Sequence, residues 1–598
     1  MRTTAIADSP APTDVLRSHV HATARPAWRD LLLQPRLTPG FARLEAITLA
    51  VYAVILALTI PFHERWADEA QAWLIARDNS LWDIFYRRLH YEGTPGLWHL
   101  ILWAATRLHL PYASINWISG LFALAGAFLW LRYSPFPTLL RLLVPLTFWM
   151  QYQYAVTARS YSLVPLFAFA LCALIARERP RPLLFALLAG LMANLSLYAF
   201  LWAGTLTLVY LPALWRRRAH LASRSALPLA ALLFGCLTLF AVYTALPASD
   251  LVSRQDGAGF FARPNPLKDK LIPPTHPPAG WRPLSNQEAY IPAPAASPDP
   301  TLYTRGDAIQ RLLMRALHPQ NPSYRIQTLG HRLQRLILPF NALLFAVSSF
   351  NLLAVLLWLA AVAWLAARRA LRFALPILLM AVLGCLTWIN DHHAGLLFVA
   401  LLAALWLGWS TPRQPPRPAA PLSRALALLL FCVLLEQAAW SAHAVIADIR
   451  SVYDPGFATA AFLKQNAAGK RVLAYSYETV AAAPYLPPHP FVNQPTSYWI
   501  WSSSIPYGRR LRFELSSHPD IVVAGSSYIG DQHLANQIVP EYPRNNPWNA
   551  IDTHFLASLG YREFTRFCGH PFMHTGESIL YCDVIYLPAG TRSPAGSP

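Results

Sequence analysis

Polar and apolar positions in this chain are segregated into long blocks. Apolar runs fall near 44–62, 113–131, 139–155, 161–176, 183–198, 200–214, 226–246, 340–366, 372–389, 394–410 and 425–442. Each approaches the roughly 20 residues needed to cross a hydrocarbon core, so eleven crossings are expected. The block 97–110 is apolar but shorter, and reads as a tilted or embedded helix rather than an independent span. Two longer polar stretches interrupt the series: 63–96, and the Pro-rich 247–339 with one helix expected near 306–317. After about residue 443 the pattern changes. Asp454-Pro455 opens a predicted helix through Gln465. The runs 471–476, 520–524, 561–567 and 579–586, bounded by Gly, Pro and Asn, read as strands. The fold class expected is an all-α polytopic membrane protein with a C-terminal α/β domain. Its parts are an N-terminal tail 1–43, a transmembrane domain 44–442 and a terminal domain 443–598. No repeat of 20–50 residues is present.

Composition agrees: hydrophobic residues make up 55% and charged residues 13% of the 598, too apolar for an ordinary soluble protein. The net charge of +19 is spread over short Arg clusters between apolar runs, which excludes nucleic acid as the expected partner. With the N-terminus cytoplasmic, the clusters Arg36/Arg43, Arg132/Arg141, Arg177/Arg179/Arg181, Arg216/Arg217/Arg218/Arg224, Arg368/Arg369/Arg372 and Arg413/Arg417/Arg424 all fall inside. The stretches 63–96, 157–161, 247–339, 390–395 and the C-terminal domain then fall outside, in the periplasm of a cell with an inner membrane. The long N-terminal segment is expected as part of a signal-anchor rather than a cleaved signal peptide. Trp and Tyr near helix ends read as an interfacial aromatic belt. Cys172, Cys236, Cys385 and Cys432 read as small core residues. Cys568 and Cys582, on a hairpin centred near residues 572–575, are expected to be out of register and unbridged.

Three segments carry candidate chemistry. Glu64, Asp68, Glu69, Asp78, Asp83 and Glu92 crowd into the first polar stretch, and ionised carboxylates beside hydrocarbon require water, a partner or a site. Asp68 fits a helix N-cap with Gln71 as its reciprocal partner, Ser80 and Asp83 show a related pattern, and a carboxylate there also suits a general base. Arg159, at the start of an apolar helix, suits either bidentate binding of a phosphate or snorkelling at the interface. The third segment, Asn390-Asp391-His392-His393-Ala394-Gly395, is expected as a turn whose His residues hydrogen-bond at the interface or hold a metal. There is no phosphate loop, GxSxG elbow or HExxH motif.

The first span, the outer Asp68-Glu69, the segment His90-Tyr91-Glu92-Gly93-Thr94-Pro95 and the helix opening Ala158-Arg159-Ser160-Tyr161 together resemble the GT-C glycosyltransferases. More narrowly they resemble the branch of protein O-mannosyltransferases, aminoarabinose transferases and bacterial polyprenyl-phosphate-sugar transferases. The resemblance covers about 44–215. It departs where Val156-Thr157 precedes the Arg motif in place of a frequent acidic residue, and where Thr94-Pro95-Gly96 stands for His-Pro-Pro. It implies a GT-C-like membrane fold and transfer of a sugar from a polyprenyl-phosphate donor to a lipid, glycan or protein acceptor outside the cytoplasm. Asp68, with Glu69 beside it, takes the catalytic place, while Arg159 and Tyr161 take the donor-phosphate place. His90, Glu92, His392 and His393 are the substrate-binding candidates. No cofactor is implied, no metal ligand is assigned, and a divalent metal requirement is left open. The alternatives from other classes are a lipid-linked glycan transporter or flippase, for which matched repeats and mid-bilayer polar residues are expected, and a non-catalytic scaffold.

Overall fold

The computed structural model describes residues 28–35, 41–220, 223, 225–251, 266–274, 340, 342–386, 391–410, 419–494, 496–502, 518–529, 532–533, 553–572 and 579–590. The N-terminal signal-anchor reading before residue 28 and the helix expected near 306–317 lie outside them. Among the described residues, five helices are long and apolar enough to cross a membrane: Ser114–Tyr133, Leu197–Arg216, Ala226–Ala245, His392–Trp409 and Pro421–Arg450. Shorter apolar helices include Arg43–Thr59, Val164–Ile175, Pro182–Ala193, Asn351–Ala367 and Leu375–Leu386. Apolarity has two different causes here. The helix His392–Trp409 is almost wholly enclosed by its neighbours, whereas Ala226–Ala245 turns most of its side chains outward. Composition alone does not separate these cases.

The run 139–155 is not one helix. Pro145 lacks an N–H and ends the helix Thr138–Leu143 in a tight turn, Val144–Leu146. A wide π-type turn, Phe148–Gln153, follows. The short helix Leu97–Arg107 spans about 16 Å at 1.5 Å per residue, half a hydrocarbon core. Its first N–H bonds the Asn194 carbonyl (3.0 Å), and Arg107 at its far end reaches the Asn79 carbonyl (2.9 Å).

The polar stretches assigned to one side of the membrane do meet one another. Tyr91 donates to Asp250 (2.6 Å), and the Ala248 N–H bonds the His90 carbonyl. His63 contacts Asp448 (2.9 Å) at the end of the last long helix. At the other ends of the helices, several Arg residues of the positive clusters serve the fold. Arg368 donates to the Gly408 and Trp409 carbonyls that end the central helix, where a cation complements the helix dipole. Arg141 is not a free surface charge: it is 1% exposed and paired with the buried Glu45 at 2.5 Å. The aromatic belt reading is also revised, because Trp130, Trp149, Trp202, Trp364, Trp406 and Trp499 are fully buried. Trp130 packs edge-on to Trp406 (5.7 Å) inside the bundle. Of the apolar-run cysteines, Cys172 is in the core, whereas Cys236 and Cys432 are exposed on the bundle's outside.

The C-terminal unit is a small sheet with strands β1 Val472–Tyr475, β2 Ile521–Ile529, β3 Gln532–His533, β4 Tyr561–Gly569 and β5 Ile579–Pro588. Their order is β1-β2-β5-β4, with β3 pairing β2; β1 and β2 are parallel and the other pairs antiparallel. Alternate side chains bury on opposite faces. Ala474, Val523 and Ile585 join the main core, and Tyr475, Val522 and Val584 form a smaller cluster with Leu556. The helix Gly456–Asn466 fastens to the sheet through Thr459, which donates to Asp583 (2.7 Å). The expected absence of a disulfide is overturned. β4 and β5 pair about residue 575, the C-terminal edge of the expected centre, which puts Cys568 directly opposite Cys582 with Cα atoms 4.1 Å apart, and the two are bridged. That separation is below the roughly 7 Å beyond which two cysteines cannot be bridged.

Candidate functional site

The helix Ala67–Asp78 is entered through Trp66, which takes the N-cap position in extended conformation. The reciprocal capping partner is Glu69, whose carboxylate accepts the Trp66 N–H (3.1 Å). The N-cap reading of Asp68 with Gln71 is therefore corrected: Asp68 lies inside the first turn, and its side chain is available for other contacts. Ser80 does cap the next helical segment, accepting from the Asp83 N–H (3.1 Å).

Asp68 and Glu69 are neighbours in sequence with different surroundings. Glu69 is fully buried and saturated. One carboxylate oxygen accepts from Asn116 (2.8 Å) and the Ala158 N–H (2.7 Å), and the other from Trp66 N–H and His63 Nε2 (3.3 Å). His63 is held between Glu69 and Asp448, and Tyr152 donates to Asp448 (2.7 Å). Burial opposes the charged imidazolium, but the two carboxylates prevail and raise the His63 pKa to about 10. This network joins the entry loop to the last long helix.

Asp68 keeps about a quarter of its side chain exposed and forms an ion pair with Arg159 through one oxygen. Its other oxygen accepts the Tyr477 hydroxyl (2.7 Å), from the segment that follows β1. Arg159 lies between aromatic rings, with its guanidinium carbon 5.4 Å from the Trp66 centroid and 5.5 Å from that of Tyr161. That cation–π arrangement orients the guanidinium plane. Tyr161 in turn hydrogen-bonds His393 Nε2 (2.8 Å). His392 contacts Gln153 through Nδ1 (3.1 Å), and its ring lies 5.2 Å from Trp66. The two histidines are not on a turn as expected; they sit in the first turn of the helix Asp391–Trp409. Asn390 lies outside the described residues.

Glu92 accepts from Gln71 (2.7 Å), one turn beyond Asp68. His90 is committed elsewhere, donating from Nδ1 to the Leu246 carbonyl (2.7 Å) with its ring edge-on to Tyr243. Burial lowers its pKa. Asp68, Arg159, Tyr161, His392 and His393 therefore form one linked cluster. Glu92 borders it through Gln71, Glu69 supports it from beneath, and His90 anchors a neighbouring helix end. Among the described residues, no group of three or more His, Cys, Asp or Glu is arranged to hold a metal ion.

Tyr477 and Asp448 are among the participants that escaped sequence reasoning. Tyr477 comes from the C-terminal unit, 409 residues beyond Asp68, and nothing local marks it. Asp448 had a signal, a carboxylate at the end of an apolar helix. The crowding of acids in the first polar stretch also finds an explanation in the C-terminal unit. Glu64 accepts the Tyr453 N–H (2.8 Å), Asp68 accepts from Tyr477 and Asp78 accepts from Ser497. Chemically, the cluster offers a cation fixed by aromatic rings beside a partly exposed carboxylate, at the end of an apolar bundle. No family model, curated protein or solved structure matched the chain.

Proposed function

We propose that the protein is a membrane glycosyltransferase of GT-C type that moves a sugar from a polyprenyl-phosphate donor to a lipid, glycan or protein acceptor. The reading includes a multi-pass course through an inner membrane, a cytoplasmic N-terminus and a periplasmic C-terminal unit. The observation that carries it is the meeting of Asp68 with Arg159, two residues 91 positions apart drawn from two of the segments on which the resemblance rests. A guanidinium oriented by Trp66 and Tyr161 suits a phosphate that stays at headgroup depth while its lipid tail lies along the bundle. The disulfide in the C-terminal unit supports its exposure to an oxidising compartment.

In this mechanism an acceptor hydroxyl or amine attacks the anomeric carbon. Its proton passes to Asp68, the bond from carbon to the phosphate oxygen breaks, and the polyprenyl phosphate leaves with its charge balanced by Arg159. Purified protein given a labelled polyprenyl-phosphate sugar and a membrane extract as acceptor source should release polyprenyl phosphate. Arg159→Lys keeps the charge without the planar fork and should lower donor use while inserting normally. Wild-type protein that binds no polyprenyl-phosphate sugar and releases no polyprenyl phosphate would end this reading. A C-terminal alkaline phosphatase fusion should be active; an inactive fusion would overturn the orientation alone.

A further inference from the structure

In the structure Asp68 and Arg159 occupy each other, a conflict for a site in which one is to accept a proton and the other to hold a phosphate. Asp68 gives one oxygen to the guanidinium and the other to Tyr477, so in this conformation its charge is committed to Arg159 rather than to an acceptor. An incoming phosphodiester carries the same charge as Asp68 and matches the guanidinium fork better. Tyr477 makes no such choice. Burial first, and the charge of Asp68 next, hold its phenol well above its ordinary pKa, so it remains a donor.

The backbone supports this role for Tyr477. Ser476, immediately before it, has φ of +89°, a region that non-glycine residues seldom occupy and that persists only where surroundings impose it. The Ser476 hydroxyl donates to Glu478, and a side chain on the facing Gly525 would come within 2.7 Å of that hydroxyl. The strand end, the glycine gap and the Ser476–Glu478 contact thus turn Tyr477 out of the sheet toward Asp68, while its ring lies 5.5 Å from Trp501.

We propose that the Asp68–Arg159 pair is the closed form of the site, which a phosphate group opens by taking Arg159 from Asp68, with Tyr477 as the positioning residue that holds the released carboxylate. This rests on the transferase reading for the identity of the phosphate, and adds an order of events. Donor binding frees the carboxylate, because the guanidinium fork serves either the phosphate or Asp68. Without donor, Asp68 stays paired and the acceptor meets no base.

Affinity for a sugar-free probe, polyprenyl phosphate in detergent micelles, separates the ideas. Wild type should bind it, and Arg159→Lys should bind it less well. Asp68→Asn, which removes the competitor, should bind it about ten-fold more tightly although it no longer transfers sugar. Tyr477→Phe should change probe affinity less than about two-fold but lower kcat with the donor KM little altered, since its hydroxyl contacts the carboxylate and not the guanidinium that takes the phosphate. If the probe binds through Arg159 and Asp68→Asn leaves its affinity unchanged or weaker, the exchange is wrong while the transferase reading stands. If no variant binds the probe, both fall. A Tyr477→Phe protein with wild-type kcat would remove Tyr477 from the proposal.

Discussion

Asp68 and Glu69 share a helical turn, a side-chain chemistry and a place in the first polar stretch, yet the fold uses them in opposite ways. Glu69 points into the bundle, where four donors saturate it and its charge is tied to His63. Asp68, one residue or about 100° around the helix, points along the seam with the C-terminal unit and stays partly open. The lesson concerns satisfaction. A carboxylate with every lone pair engaged by fixed donors is part of the framework, whereas one paired with a single exchangeable cation beside water has chemistry left to do.

The largest expected effect breaks the comparison at Asp68. Asp68→Asn retains shape and removes the titrating group, so sugar transfer should fall about 10²–10⁴-fold while the melting temperature stays near wild type. Activity within a few-fold of wild type would remove Asp68 from the chemistry.

Next is Glu69→Ala, which leaves His63, Asn116 and the Ala158 N–H without their shared acceptor and should cost about 3–5 kcal/mol. It should be read as a lowered unfolding midpoint or lost accumulation in the membrane. A Glu69→Ala protein as stable as wild type, but inactive, would exchange the two roles.

The third prediction extends the comparison to two buried carboxylates of the C-terminal unit, Glu478 and Asp583, which accept from the hydroxyls of Ser476 and Thr459. Burial raises Glu478 to about 7 and Asp583 to about 6. With folded pKa values above unfolded ones, both contribute stability in full below about pH 4, and lose it as pH rises through 6 and 7. Loss on the order of 1–3 kcal/mol between pH 4.5 and 8 should appear as a falling melting temperature, flattened in Glu478→Gln/Asp583→Asn. His63 adds a separate loss with the same sign, complete only as pH passes about 10. A melting temperature rising from pH 5 to 8 would contradict the carboxylate assignment.

The smallest effect is expected at Ser80, the true side-chain cap of this region. Ser80→Ala should cost about 1 kcal/mol and leave transfer unchanged, which differential scanning and the release assay would both detect.

Much of the architecture was legible in the chain. Most apolar blocks contain a helix of the bundle, although 139–155 breaks at Pro145, and all four predicted strand segments, the helix beginning after Asp454-Pro455 and the short helix near 97–110 are present. Pairing was less legible. A shift of register moved Cys568 opposite Cys582, because the centre of a hairpin depends on which residues its longer connection absorbs. Arg141 and Glu45, each at a helix end, became a buried pair because their ends converge, a distance unrelated to their separation in sequence.

The sequence by itself determined the partition into apolar helices and a polar α/β terminus, and the residue types able to hold a phosphate or accept a proton. Those are local properties, set by hydrophobic blocks, caps and turn residues. Only the tertiary structure decided that Asp68 meets Arg159 and Tyr477 while Glu69 is sealed among His63, Asn116 and Ala158. The physical reason is that contacts across 91 and 409 residues depend on how helix ends and a distant sheet pack together. A carboxylate's role follows from the donors that packing brings to it.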